Sequence, residues 1–193
     1  TLNDDWSDIS PRLVVDYKLN EDILLFASYA KGYKAGGFNS VEVGSRFDNE
    51  DVTNFEVGIK STFPEAGVRF NASAFDLSGE PTGIPEWSFA LGGSYLVDLD
   101  DNGELEFLVS HAFEGERRCN SESDLQGDCL GFPAFSVGKA MERTDLRAYW
   151  RSENDRYQVG AFLNNAFDNQ YVTGVNNLTA ATLGTPFVAI TDP

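Results

Sequence analysis

Val52-Thr53-Asn54-Phe55-Glu56-Val57-Gly58-Ile59-Lys60-Ser61-Thr62-Phe63 carries two chemistries in strict alternation, with Phe55, Val57 and Ile59 on one parity and Asn54, Glu56, Gly58 and Lys60 on the other. Successive side chains of an extended chain point to opposite faces, so the stretch predicts a strand with one greasy and one charged face. The same division recurs downstream. Trp87, Phe89, Leu91, Tyr95 and Val97 share a parity opposite Ser88, Ala90, Gly92 and Ser94. Leu105, Phe107, Val109 and Phe113 oppose Glu104, Glu106 and Ser110, and Leu146, Ala148 and Trp150 oppose Asp145, Arg147 and Arg151.

From Pro11 onward the chain breaks into alternating segments of about ten residues bounded by turn residues. The connections are of two kinds. Tight turns fall at Leu19 to Glu21, Pro64 to Gly67, Asp98 to Gly103 and Ser152 to Asp155, and long connections at Gly32 to Asp51, Gly115 to Ala140 and Val172 to Pro186. Short turns on one side and long loops on the other are the habit of outer-membrane barrels. Trp6, Tyr17, Tyr29, Tyr33, Trp87, Tyr95, Trp150, Tyr157 and Tyr171 lie near the segment ends, where rings suit a headgroup layer. A soluble β-sandwich would use such rings as core. Against it, Glu56, Lys60, Arg69, Arg147 and Arg151 share the polar parity, and a dry core would have to pair every one of them. A wet lumen accepts them. The expected fold is therefore all-β, an antiparallel transmembrane β-barrel of meander topology, partial, with about eight strands over residues 1–193.

Composition narrows the classes further. With 41% hydrophobic and 13% aromatic residues the 193-residue chain is not disordered, and its formal charge of −17 would repel a phosphate backbone, which excludes nucleic acid as a partner. A membrane-spanning helix needs roughly 20 consecutive apolar residues, and stretches such as Ile23 to Ala27 are far shorter. Thr1 to Asp8 is polar and acidic and has no basic-then-apolar leader. Cys119 and Cys129, in a polar stretch, are a candidate loop-closing disulfide in an oxidising compartment, with two free thiols as the alternative. With His111 as the single histidine, these sulfurs cannot complete a zinc site, and no metal or cofactor is expected.

Several segments resemble the C-terminal half of a TonB-dependent receptor barrel. Ser10-Pro11-Arg12, Tyr17-Lys18-Leu19 and the run Leu25-Phe26-Ala27-Ser28-Tyr29-Ala30-Lys31-Gly32-Tyr33-Lys34-Ala35-Gly36-Gly37-Phe38-Asn39 are similar to the family's strand pair leading into a Gly-rich outer loop. Asn49 to Ser61 resembles the next strand, with an acidic start, then Asn-aromatic-Glu, then Gly-x-Lys. Pro85-Glu86-Trp87-Ser88-Phe89 looks like a later loop-to-strand junction, and Leu163-Asn164-Asn165-Ala166-Phe167-Asp168-Asn169-Gln170-Tyr171 resembles the Asn-x-Phe-Asp-x-x-Tyr strand near the family's C-terminus. The resemblance implies a Gram-negative outer-membrane receptor that imports scarce nutrients, most often ferric siderophores. Its partners would be outer-membrane lipid, the small-molecule cargo and, in a full-length form only, the TonB complex. The departures carry expectations too. Nothing resembles the plug or the TonB-contact segment. About eight strands cannot close a barrel whose relatives use about twenty-two. Near residues 77–80 a strand pair is expected to be missing, and Asp192-Pro193 stands where an aromatic-ended last strand belongs.

Other constellations read as structure. Asp98-Leu99-Asp100-Asp101-Asn102-Gly103 resembles the opening of a calcium loop, but Val109 stands where its bidentate Glu should be, and an Asn-Gly hairpin turn is expected instead. Ser110 and His111 are adjacent on a strand and so face opposite ways, which denies them a nucleophile–base contact, and no catalytic residue is expected. Gly36-Gly37 lacks the context of a phosphate loop. Arg46, Arg117, Arg118, Lys139 and Arg143 could meet an anionic chelate, but an ordinary solvated loop is the favoured reading for each, and none is named as a site. The competing function is a small passive pore or a structural or adhesion barrel.

Overall fold

The computed structural model describes residues 5–38, 46–47, 49–79, 84–117, 131–132, 135–136, 138–176 and 188–192. Eight strands form one sheet: β1 (Arg12–Lys18), β2 (Ile23–Lys34), β5 (Glu50–Phe63), β6 (Val68–Gly79), β7 (Trp87–Asp98), β8 (Glu104–Glu114), β11 (Met141–Arg151) and β12 (Gln158–Leu163). They pair in that order and every pair is antiparallel, which makes an all-β meander of the expected strand number. Three two-stranded pieces accompany it: β3 (Gly37–Phe38) with β4 (Arg46–Phe47), β9 (Gly131–Phe132) with β10 (Phe135–Ser136), and β13 (Tyr171–Asn176) with β14 (Val188–Asp192).

Register carries the alternation across the sheet. Leu13, Tyr29, Phe55, Asp76 and Trp87 form one cross-strand row, and Phe63, Val68, Tyr95, Phe107, Ala148 and Ala161 form another on the same face. Aromatic rings therefore collect in two belts, one near each strand end. On β7 the belts are Trp87 and Tyr95, eight residues apart, or about 27 Å along a strand that rises about 3.4 Å per residue. Tilted strands would bring that close to the roughly 25 Å apolar band of an outer-membrane barrel. Between the belts lie Val15, Val57, Ile59, Leu91, Val109 and Leu146.

This apolar face is uncovered. Phe55 is 49% and Phe107 46% exposed, and the substantial contacts between described wall strands run between hydrogen-bonded neighbours. A sandwich would have sealed those rings beneath a second sheet. Two polar pairs on the apolar face are closed internally: Ser61 Oγ donates to the Phe70 carbonyl at 2.8 Å, and His111 Nδ1 meets Thr144 Oγ1 at 2.8 Å.

The turns are built by short polar side chains. Asn20 Oδ1 accepts from the Asp22 amide at 2.9 Å, and Asn154 Oδ1 from the Arg156 amide at 3.2 Å. Between β5 and β6 a 3₁₀ turn, Pro64–Ala66, closes on Gly67 in the left-handed region at φ 64°, and the Gly67 carbonyl accepts from Leu96 on β7 at 2.8 Å. The β7–β8 connection corrects the expected Asn-Gly turn. Asp98 Oδ1 caps the Asp100 amide at 2.9 Å, Asp100 takes φ 53°, and Asp100–Asn102 winds into a 3₁₀ turn, so the left-handed positions are Asp100 and Gly103 rather than an Asn-Gly pair. The expected loop from Gly32 to Asp51 is also shorter, because β2 and β5 stay paired out to Lys34 and Glu50.

Candidate functional site

The connections 35–49, 80–86 and 115–140 and the chain after β12 all leave the same end of the meander, as antiparallel alternation requires. That end is the candidate binding rim. Three ties organise its described part.

Lys31 Nζ sits 2.9 Å from Asp8 Oδ2 and 3.4 Å from Asp51 Oδ2, so it straps the segment before β1 onto β2 and β5. The ammonium beside it holds the Asp8 carboxyl below its ordinary value. On the same rim Lys34 Nζ reaches Glu50 at 3.2 Å.

Beyond β8, Gly115 donates to the Trp87 carbonyl at 2.9 Å, and Pro85 and Arg117 form an isolated antiparallel bridge. Trp87, Phe89 and Phe113 stack beneath, with centroids 4.7 Å apart for Trp87–Phe113 and 5.2 Å for Phe89–Phe113. A side chain at 115 would press on the Trp87 ring and carbonyl, so a glycine stands there.

The third tie explains the Asn-x-Phe-Asp-x-x-Tyr motif. Asn165 at φ 51° and Asp168 at φ 53° turn the chain at the end of β12 and lay it back along β11. The Asn165 amide donates to Asp145 Oδ1 at 2.8 Å, its side chain exchanges two hydrogen bonds with Asn169, and the Ala166 amide reaches the Thr144 carbonyl at 2.7 Å. Tyr171 Oη accepts from the Glu142 amide at 3.0 Å.

The expected cations are distributed as follows. Arg117 lies 3.9 Å from Glu114, Lys139 3.3 Å from Glu116, and Arg143 2.9 Å from Asp145. The structure therefore gives each of these three a carboxylate of its own. Arg46 belongs to β4 with its side chain outside the described residues, and Arg118, Cys119 and Cys129 lie outside them altogether. Ser110 and His111 fall on opposite faces, Ser110 in the row with Gly92 and Asp145, His111 in the row with Leu91 and Thr144. Sequence reasoning missed Lys31 with Asp8, since nothing local pairs positions so far apart. It found the Asn165 motif but not its partners Glu142 and Asp145.

The model of the TonB dependent receptor-like β-barrel family matches residues 1–80, which run from the chain start through β6. Over those residues the chain is similar to part of a TonB-dependent receptor barrel. The wall then continues without a break in pairing from β6 to β12. In fold the chain is similar to the crystal structure of the ferric yersiniabactin uptake receptor of Yersinia pestis, at 16% identity and a TM-score of 0.49 over 94% of this chain. The match covers 35% of that receptor, so the chain spans about a third of its length. TonB-dependent receptors are a receptor and transporter family, not an enzyme family.

Proposed function

We propose that this chain is a section of wall from an outer-membrane TonB-dependent receptor that takes up a scarce nutrient, with a ferric siderophore as cargo. The observation that carries the reading is the single-layer sheet with an uncovered, twice-belted apolar face and a polar reverse face, joined to the family match over residues 1–80. Hydrocarbon would cover the first face and a water-filled lumen the second. Both border strands support a larger assembly: β1 and β12 are exposed along their whole length and have no sheet partner on their outer sides among the described residues. In the receptor other strands would continue from them, with TonB supplying energy from the inner membrane. The ferric cargo rests on the family's commonest use.

The test is deletion of the gene carrying this chain, followed by uptake of radio-iron supplied as ferric siderophore. Loss of uptake that also requires TonB is expected, and unchanged uptake overturns the cargo. Conductance through vesicles containing the isolated chain, with β1 paired to β12, would overturn the receptor in favour of a small pore.

Two narrower proposals accompany it. A strand pair is missing near residues 77–80 of the 1–193 barrel segment: the family match stops at residue 80, and loss of an even number of strands leaves β6 and β7 antiparallel, as they are. Sequencing the gene should recover a hairpin there, and an uninterrupted reading frame without it removes the idea. Cys119 and Cys129 close a disulfide in the β8–β11 connection, and intact mass should rise by two hydrogens on reduction. No change would leave them as thiols.

A further inference from the structure

The polar face is not uniformly charged. One cross-strand row is Thr62, Arg69, Ser94, Leu108, Arg147 and Phe162. The next row toward the rim runs from Lys18 and Leu24 through Lys60, Asn71, Gly92 and Ser110 to Asp145. Together the two rows hold four cations and one carboxylate, on a chain whose formal charge is −17. Asp145 is already engaged by Arg143 at 2.9 Å and by the Asn165 amide at 2.8 Å. Lys60 lies 5.4 Å over the Phe26 ring. Neither Arg69 nor Arg147 makes a direct ion pair among the described residues, although the charge of Arg147 acts on Asp145.

These two arginines border one concavity of about 240 Å³, with Asn71, Ser94 and Ser110 between them and Asp145, the carboxylate held by Arg143, also lining it. Its floor is open at Gly92, where an added Cβ would meet nothing within 4 Å. Packing does not demand that glycine, and its effect is to leave room. Arg69 and Arg147 stand three strands apart, about 14 Å between backbones at about 4.8 Å per strand, a span that two inward-reaching guanidinium forks can close on a small molecule. The nearest unengaged carboxylate, Glu106, lies one row toward the turns, opposite Tyr149, and does not line the concavity.

We propose that Arg69 and Arg147 form an anion-binding site on the inner wall, for a small solute bearing two or more carboxylate or phosphate groups, with Asn71, Ser94 and Ser110 donating to its remaining oxygens. The site needs only that this face be wet. It does not depend on the import reading, because it is tested by binding to the purified chain.

The test is calorimetric titration of the full chain, folded in zwitterionic detergent, with citrate and separately with pyrophosphate at fixed ionic strength. Saturable binding of at least one is expected, and the tighter of the two assigns the anion as carboxylate or phosphate. Arg69→Gln and Arg147→Gln should each weaken that binding at least tenfold, Arg12→Gln near the rim should leave it unchanged, and Glu106→Gln should tighten it. Gly92→Glu puts a carboxylate into the open floor without a steric clash and should abolish binding while leaving the far-ultraviolet dichroism intact, which covers the case where an arginine variant fails to fold. Absence of saturable binding by the parent chain, or an equal loss in Arg12→Gln, overturns the proposal. Failure of the uptake experiment alone does not touch it.

Discussion

The two faces of the wall are made from the same strands and obey opposite rules. Along β7, Leu91 faces out among Ile59, Ala72 and His111, and Ala90, one residue earlier, faces in among Gly58, Ser73 and Ala112. A large apolar side chain outside sits directly beside a small one inside. On the proposed reading the apolar face meets hydrocarbon and the polar one water, so the comparison teaches that tolerance to charge should change sign at every step along a strand.

The strongest way to break that comparison is to place arginine at each of the two positions. Leu91→Arg should cost about 2–4 kcal/mol in liposome-reconstituted chain, because a cation at mid-bilayer depth is desolvated, and Ala90→Arg should cost under about 1 kcal/mol. Equal urea midpoints for the two would mean the faces are not lipid and water.

The rim belongs to neither face, and its rigidity should come from hydrogen bonds. Asn165→Ala removes both bonds to Asn169 and places a Cβ-branch-free but non-glycine residue at φ 51°, where asparagine is tolerated better than alanine. The expected cost is about 1–2 kcal/mol, read as faster hydrogen exchange at the Asn169 and Ala166 amides with β7 unchanged. On the polar face, Arg151 meets Glu104 at 2.6 Å with both side chains partly exposed. Arg151→Ala should therefore cost no more than about 1 kcal/mol, and a larger loss of stability would mean that water does not reach this side.

The smallest effect is the pH response of the strap. Asp8 is depressed by Lys31, so its contribution is present above the ordinary carboxylate range and is lost as pH falls through the lowered folded value. Protection of the Lys31 amide, which donates to the Pro11 carbonyl at 3.0 Å, should decline on acidification and be flat in Asp8→Asn. A pH response that survives in Asp8→Asn would assign the strap to another group.

What could be seen in the residues beforehand followed interaction range. The alternation in Val52 to Phe63 is set by nearest neighbours, and the tight turns by Pro64, Gly67, Asn20 and Asn154, so strand number, face assignment and the ends with short connections were all legible. Rows were not. Arg69 and Arg147 share a row only because four strands, β6, β7, β8 and β11, register as they do, and a one-residue change in any intervening turn or loop would separate them. The Asn-Gly reading of the β7–β8 turn failed because Asp98 captured the Asp100 amide, a competition that dipeptide preference does not contain. The rim cations Arg117, Lys139 and Arg143 were read as solvated loop residues, and the carboxylates they meet, Glu114, Glu116 and Asp145, could not be read from local sequence.

His111 and Thr144 have one more consequence. They join β8 to β11 by a side-chain hydrogen bond within an otherwise greasy surface, where, on the membrane reading proposed above, neither would have water to fall back on. Sliding that seam by a single position would strand both groups and turn Glu106 and Ser110 outward at the same moment. The pair therefore acts as a detent: adjoining hairpins that meet out of step are penalised locally, before the rest of the wall has formed.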